Sequence, residues 1–334
     1  MPIDDASRRL LARLRRADHT ELHVHLEGSI SAPTLVALAG RSPEPIFPSL
    51  HHVRERQAAG GDFRRFLSFY RDVCRCLKSP ADYAAAAQDL CLRLSRERIR
   101  HAEVYLSPAV VEKMGLPWVP VRDAIEAVFA AHERRRRGRI RVLLDSVRQW
   151  GPAAAMRVLD LHAQHPWSRA VGFGLGGDER SVPARDYARV YARVRSLGLA
   201  PLVHAGEWAG PESVAAALRW LAPVRIAHGL RAAEDRALMR ALAARGVSLD
   251  ACPTSNVATG ALPSLADAAA RIRTLLAGGV AVTLSTDDPG LFASTLHGEY
   301  RRLAEAGLGA GELAAIFAFS RRSALTPRER ARRP

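Results

Sequence analysis

Along this chain, short runs of apolar and β-branched residues alternate with longer stretches whose apolar positions recur every three or four residues. The short runs fall at 19–26, 101–106, 139–147, 170–175, 200–204, 224–228, 247–252 and 280–286. Most have the near-continuous apolar character of strands buried on both faces, as parallel strands covered by helices are. Between them lie amphipathic segments at 81–98, 122–137, 152–164, 184–197, 212–221, 233–244 and 265–277, each long enough for several turns of helix. Eight strands separated by helices, with no linker of domain length, predict a single α/β domain over 1–334 with the architecture of a (β/α)8 TIM barrel.

One connection breaks the alternation. The stretch 31–100 is much longer than one crossover helix requires, and it holds a Pro-rich irregular piece followed by GDFRRFLSFYRDVCRCL, with aromatics at helical spacing. Long connections that follow barrel strands pass over the face where those strands end, so the segment at about 41–80 is expected to form a helical lid inserted after the first strand, the alternative being an extra helix packed on the barrel wall.

Composition narrows the class. Of the 334 residues, 48% are hydrophobic, yet no run of eighteen apolar residues occurs, and the amino-terminal MPIDDASRRLLARLRR is amphipathic and charged without a signal-peptide core. The expectation is a soluble cytoplasmic protein with no membrane partner. Cys74, Cys76, Cys91 and Cys252 form no CxxC pair, which points away from a disulfide frame and from a thiolate metal site. The formal charge of +15 invites a nucleic-acid reading. Lys78 and Lys113 are the only lysines, however, and the arginines are spread over helices throughout. The one dense run, 134–137, sits at a helix end before Gly138, where cations favour the carboxyl-terminal dipole. No nucleic-acid partner is expected. The tail ALTPRERARRP is expected to be disordered, and the pattern sets no oligomeric state.

The chemistry of a barrel lies at the carboxyl ends of its strands. Strand one ends in His23-Val24-His25, whose period-two spacing aims both imidazoles the same way. Strand five ends in His204-Ala205-Gly206-Glu207, strand six in His228-Gly229, and strand eight in Asp287-Asp288, stopped by Pro289 and Gly290. Two adjacent carboxylates at the end of a buried strand resist ionisation unless a cation or good donors lie near. An isolated DDPG is more often a surface turn, and a lone histidine more often a core or surface residue. His19, His51, His52, His101, His132, His162, His165 and His297 are left to that reading. Four histidines and an aspartate at strand ends instead form a mixed nitrogen and oxygen set suited to Zn²⁺, with Fe²⁺ or Mn²⁺ allowed by ligand type.

ELHVHLEGSI, LGGDE, HAGE, the His228-Gly229 pair and STDDP, in this order across nearly the whole chain, resemble the adenosine deaminase branch of the amidohydrolase superfamily. The combination is far more specific than any one motif. Neither lysine falls at a strand end, so no carboxylated lysine is suggested, and the PCxxC signature of cytidine-type zinc deaminases is absent.

The resemblance implies a set of roles. His23, His25, His204 and Asp287 would hold one zinc ion, with a position left for water. Glu207, kept protonated, would donate to N1 of a 6-aminopurine, and His228 would assist deprotonation of the attacking water or hold the hydroxide. Asp287 would bond metal and hydroxide alike. Asp288 would accept from N7 or position the ring, and the Gly177 amide would reach N3. Phe63, Phe66, Leu67 and Tyr70 of the lid would form an apolar wall. The implied enzyme is a hydrolase acting on C–N bonds of cyclic amidines, releasing ammonia from a purine nucleoside. Glu27 stands where the family usually has Asp near the ribose 5′ group, which argues against a plain 5′-hydroxyl partner and against a 5′-monophosphate. CPTSNVATGAL and HAGEWAGPESV look similar to bacterial members acting on adenosine or on 6-amino-6-deoxyfutalosine, an intermediate of an alternative menaquinone route, and the latter is ranked slightly ahead. Adenine itself, another amidohydrolase acting on an amide or ester, and a non-catalytic metal-binding barrel are the alternatives.

Overall fold

The computed structural model describes residues 3–135 and 138–325; residues 136–137 of the arginine run and the tail beyond 325 lie outside them. Eight strands form: β1 (His19–His25), β2 (Ile99–Leu106), β3 (Arg139–Val147), β4 (Ala170–Gly176), β5 (Ala200–Ala205), β6 (Arg225–His228), β7 (Ser248–Ala251) and β8 (Val282–Leu284). They pair in parallel in chain order, each with the next.

β8 is short, and the ring closes beyond its end. The Asp287 N–H donates to the His23 carbonyl at 3.1 Å, and the His25 N–H donates to the Asp287 carbonyl at 2.9 Å, which makes a parallel bridge between Val24 and Asp287. Ser285 Oγ accepts from the backbone N–H groups of Leu22 and His23 at 3.2 and 3.1 Å on the same seam. The barrel is thus zipped shut by residues that carry the site.

The amphipathic segments between strands are helical: Pro80–Arg96, Trp118–Arg134, Gly151–Gln164, Ala188–Ser196, Pro211–Trp220, Arg236–Ala244 and Leu265–Ala277. Several start where a side chain satisfies a free N–H of the first turn, as Ser79 does for Asp82, Asp235 for Ala237 and Leu238, and Ser264 for Asp267. The segment 184–197 is divided into a 3-10 turn, Ala184–Tyr187, and a helix from Ala188. Helices Asp5–Leu14, Leu296–Glu305 and Ala310–Arg322 pack on one another beside the ring. Among the described residues no helix is long and apolar enough to cross a membrane, and all four cysteines are free and buried.

Inside the ring sits a buried ion cluster. Arg225 of β6, 1% exposed, gives Nε to Asp250 of β7 at 2.6 Å, and Nη2 to Glu103 of β2 at 2.5 Å and to the Leu22 carbonyl at 3.0 Å. Thr283 of β8 donates to the other Asp250 oxygen at 2.7 Å. Every polar atom of that cluster therefore meets a partner of opposite character, as burial of charge demands.

The long first connection forms helices Ala32–Ala39, Leu50–Ala58 and Phe63–Cys76. In the last of these, Phe63, Phe66, Leu67 and Tyr70 fall at helical spacing on one face. The Phe63 ring lies 4.8 Å from that of Trp208, which follows β5, and Phe66 stacks at 5.5 Å on Phe292, which follows β8. This helix therefore touches two other connections at the carboxyl end of the barrel.

Candidate active site

A cavity of about 570 Å³ opens at that end. Its lining includes His25, His204, Glu207, His228, Asp287, Asp288 and Gly177, and also Phe63, Phe66, Leu67 and Tyr70. Eleven residues from six separate segments thus share one hollow.

At its floor the nitrogen and oxygen atoms converge. His23 Nε2 lies 3.1 Å from Asp287 Oδ1, His25 Nε2 lies 3.3 Å from the same oxygen, and the two Nε2 atoms are 3.3 Å apart. The His204 ring centre is 4.8 Å from that of His23. Ligand atoms of His23, His25 and His204 lie within 4.8 Å of one another, as do those of His23, His228 and Asp287. Burial pushes His23 down to about 3, against the pull of Asp287, and pushes His204 well below the usual imidazole range. Burial also disfavours charge on His25, but Asp288 and Asp287 outweigh it and raise this imidazole to about 10. Asp287 is held well below the ordinary carboxylate range by His23 and His25, which overcome its burial. Asp288 is pushed well above it by burial and by the charge of Asp287. Three imidazoles crowd around one carboxylate, two of them held neutral by burial, and this mixed nitrogen and oxygen set fits a divalent cation of the zinc type.

Asp287 and His228 have φ of 64° and 61°, in the left-handed region that ordinary side chains avoid. Such strain, on the order of 1–3 kcal/mol for each residue, persists where the surroundings over-determine it. Here they do. Ser255 Oγ donates to Asp287 Oδ2 at 2.6 Å, and Asn256 Nδ2 lies 3.1 Å from His228 Nδ1. An amide nitrogen can only donate, so His228 accepts at Nδ1 and carries its proton on Nε2. That nitrogen faces Glu207 Oε2 at 3.6 Å and Asp287 Oδ2 at 3.9 Å. Ser255 and Asn256 belong to the CPTSN segment, whose first helical turn is capped by the buried Glu299 accepting from the Thr254 N–H at 3.0 Å.

Glu207 is buried, and burial lifts its carboxyl to about 7 against the pull of His228. The loop that presents it is held by Glu179, the acid of LGGDE. One Glu179 carboxylate accepts from the backbone N–H groups of Gly206, Glu207, Trp208 and Ala209, at 2.5, 3.1, 2.9 and 3.0 Å, and also from the Ser213 hydroxyl. Sequence reasoning treated that acid only as part of a motif.

Gly177 has φ of 94°, and a Cβ built there would stand 2.4 Å from Gln149 Oε1, so only glycine fits. A Cβ on Gly28 would meet Asp288 Oδ1 at 1.6 Å, which accounts for the small residue after Glu27. Glu27 itself is 1% exposed and is not among the residues that line the cavity. Its Oε2 accepts from Tyr70 at 3.2 Å, and burial raises it to about 7. Asp145, near the end of β3, does line the cavity and was not singled out from the sequence, although the Asp145-Ser146 pair that follows the apolar run 142–144 was a signal.

The adenosine deaminase family model matches residues 18–333. The chain belongs to the adenosine deaminase family. Among curated relatives of this family, the adenine deaminase of Sinorhizobium medicae is 33% identical over 305 residues, covering 91% of this chain and 92% of its own. Among solved structures, the adenine deaminase of Arthrobacter aurescens superposes with a TM-score of 0.86 at 28% identity, over 94% of this chain and 96% of that one. An amidohydrolase of Burkhoderia ambifaria, with bound Zn, has the same barrel at a TM-score of 0.86 and 24% identity, over 99% and 91%. Membership makes this protein a hydrolase acting on C–N bonds of cyclic amidines.

Proposed function

We propose that the protein hydrolytically deaminates a 6-aminopurine, and that the free base adenine is preferred to its nucleosides. This reverses the ranking drawn from the sequence, in which aminodeoxyfutalosine stood first, adenosine second and adenine among the alternatives. The observation that carries the reversal is the full-length similarity to proteins named adenine deaminase, at 33% identity in sequence and a TM-score of 0.86 in structure.

His23, His25, His204 and Asp287 would hold a divalent cation, for which Zn²⁺ is the best match to the ligand types. When bound, such an ion supplies Lewis acidity that makes water a nucleophile near neutral pH. The chain's own groups do the rest. Glu207, protonated below about pH 7, gives its proton to N1 as C6 becomes tetrahedral, so the electron pair driven onto the ring is neutralised in place. His228, with its Nε2 proton aimed into the cavity by Asn256, holds the oxygen that attacks C6. Asp287 accepts from that same oxygen. Asp288, kept protonated beside Asp287, has a hydrogen to donate to N7, the reverse of the direction expected from sequence. The Gly177 amide faces N3. Of the two protons the attacking water gives up, one goes to the amine, which leaves C6 as ammonia, and the other restores Glu207, so that a carbonyl remains.

A cavity of about 570 Å³ favours a nucleoside as the second reading, since it exceeds what one purine ring fills. The test is kcat/KM for adenine, adenosine, 2′-deoxyadenosine and aminodeoxyfutalosine with zinc-loaded protein. Adenine is expected to exceed each nucleoside by at least about a hundredfold. A nucleoside ahead of adenine overturns the proposal.

A further inference from the structure

Four carboxyl groups line the cavity: Glu207, Asp287, Asp288 and Asp145. The deamination chemistry gives work to three. Asp145 is 8% exposed, and its Oδ1 has no hydrogen-bond partner. A buried carboxylate oxygen left unpaired in a polar hollow is costly to keep and asks for a donor that comes with the ligand.

The order of the strands says which part of the ligand that donor belongs to. Around the ring, Asp145 lies near the end of β3, Gly177 follows β4, Glu207 follows β5 and Asp288 follows β8. A purine with N1 on Glu207, N3 on Gly177 and N7 on Asp288 turns its remaining nitrogen, N9, toward the arc made by β1, β2 and β3. Two acids stand at the carboxyl end of that arc, Glu27 just after β1 and Asp145 near the end of β3. One Glu27 oxygen accepts from the Tyr70 hydroxyl and Glu27 is not among the residues that line the cavity, whereas Asp145 is.

We propose that Asp145 is the residue that selects the free base, its carboxylate accepting the N9–H of adenine. The inference rests on the adenine reading above and deepens it. In a nucleoside N9 carries a carbon and no hydrogen, so Asp145 Oδ1 would remain buried and without a donor against the sugar. Sites built to receive an N–H discriminate strongly against analogues that lack it, because the site's own polar group is then stranded.

The experiment compares wild type, Asp145→Ala and Asp145→Asn, all zinc-loaded, against adenine, 9-methyladenine and adenosine. In Asp145→Ala, kcat/KM for adenine is expected to fall at least about a hundredfold, while the values for the two N9-substituted substrates hold or rise. Asp145→Asn keeps one acceptor oxygen and should recover part of the loss on adenine. A parallel fall on all three substrates marks a merely structural role and overturns the inference. Retention of the adenine preference in Asp145→Ala overturns it as well, and leaves the adenine reading standing. A wild type that prefers adenosine overturns both. Should the variants fail to fold, calorimetry on wild type decides: purine is expected to bind at least about thirtyfold tighter than 9-methylpurine, and equal affinities overturn the proposal.

Discussion

His23 and Asp287 lie on the first and last segments of the barrel, and the backbone bond that closes the ring between them, 3.1 Å from N–H to carbonyl, also sets their side chains 3.1 Å apart. Ligand cluster and seam are one structure. Stripping the metal with a chelator is therefore expected to abolish activity and to lower Tm together, with both restored by Zn²⁺. A ligand that binds only the native chain stabilises it by about 4 kcal/mol at a thousand times its Kd. Loss of activity with no change in Tm would separate the cluster from the seam.

Glu207 supplies the pH dependence. Burial raises its carboxyl to about 7 against His228, and in the proposed reaction N1 requires the protonated form. The competent fraction is complete below that value and is lost as pH rises through it, so kcat/KM should decline about tenfold per unit on the alkaline side. Glu207→Gln keeps size and an N–H donor but cannot transfer a proton. It is expected to lose on the order of 10³-fold or more in kcat/KM and to fold normally. Activity within tenfold of wild type would remove Glu207 from the chemistry.

Much of this was legible before the fold was known, for identifiable reasons. Buried parallel strands need unbroken apolar stretches, so the eight runs announce themselves, and the alternation of a strand alone puts His23 and His25 on one side. What stayed hidden depends on distant segments meeting. Glu179 reads as a turn acid until the fold brings to it four N–H groups from a loop beginning 27 residues later. Arg225, Glu103 and Asp250 sit in strands where a charge looks out of place, and only closure of the ring puts them together. Asp145 is hidden for a related reason: its own strand does not show what it will meet, and only the fold brings it to the cavity lined by residues of the other strand ends.

The Glu179 loop yields its own prediction. Four backbone donors and a hydroxyl converge on one carboxylate, and hydrogen bonds to a charged group contribute roughly 1.5–3 kcal/mol each. Glu179→Ala strands those donors and releases the segment that aims Glu207. Tm should drop by several degrees, and kcat should fall while KM changes little. Glu179→Gln, with one oxygen left, should lie between. If kcat in Glu179→Ala matches wild type under conditions where the variant is folded, the loop does not need this acid to present Glu207.

Arg225 tests how the barrel interior is held. It bonds to Glu103, Asp250 and the Leu22 carbonyl while 1% exposed. Asp250 already stands at about 6, raised by burial and only partly pulled back by Arg225, whereas Glu103 is pulled down by Arg225 and His101 despite its burial. Arg225→Met leaves two buried carboxylates without their cation, and breaking one side of such a cluster is expected to destabilise by about 3–5 kcal/mol. The sign with pH follows from linkage. Once the arginine is gone, both acids bind protons more tightly in the folded chain than in the unfolded one, so the variant should recover stability as pH falls and lose it as pH rises. Replacing Glu103 and Asp250 by apolar residues of similar size in the same background should restore most of the loss. Urea denaturation of the three proteins at two pH values measures all of this, and a variant equally stable at both would mean that the carboxylates find other partners inside the ring.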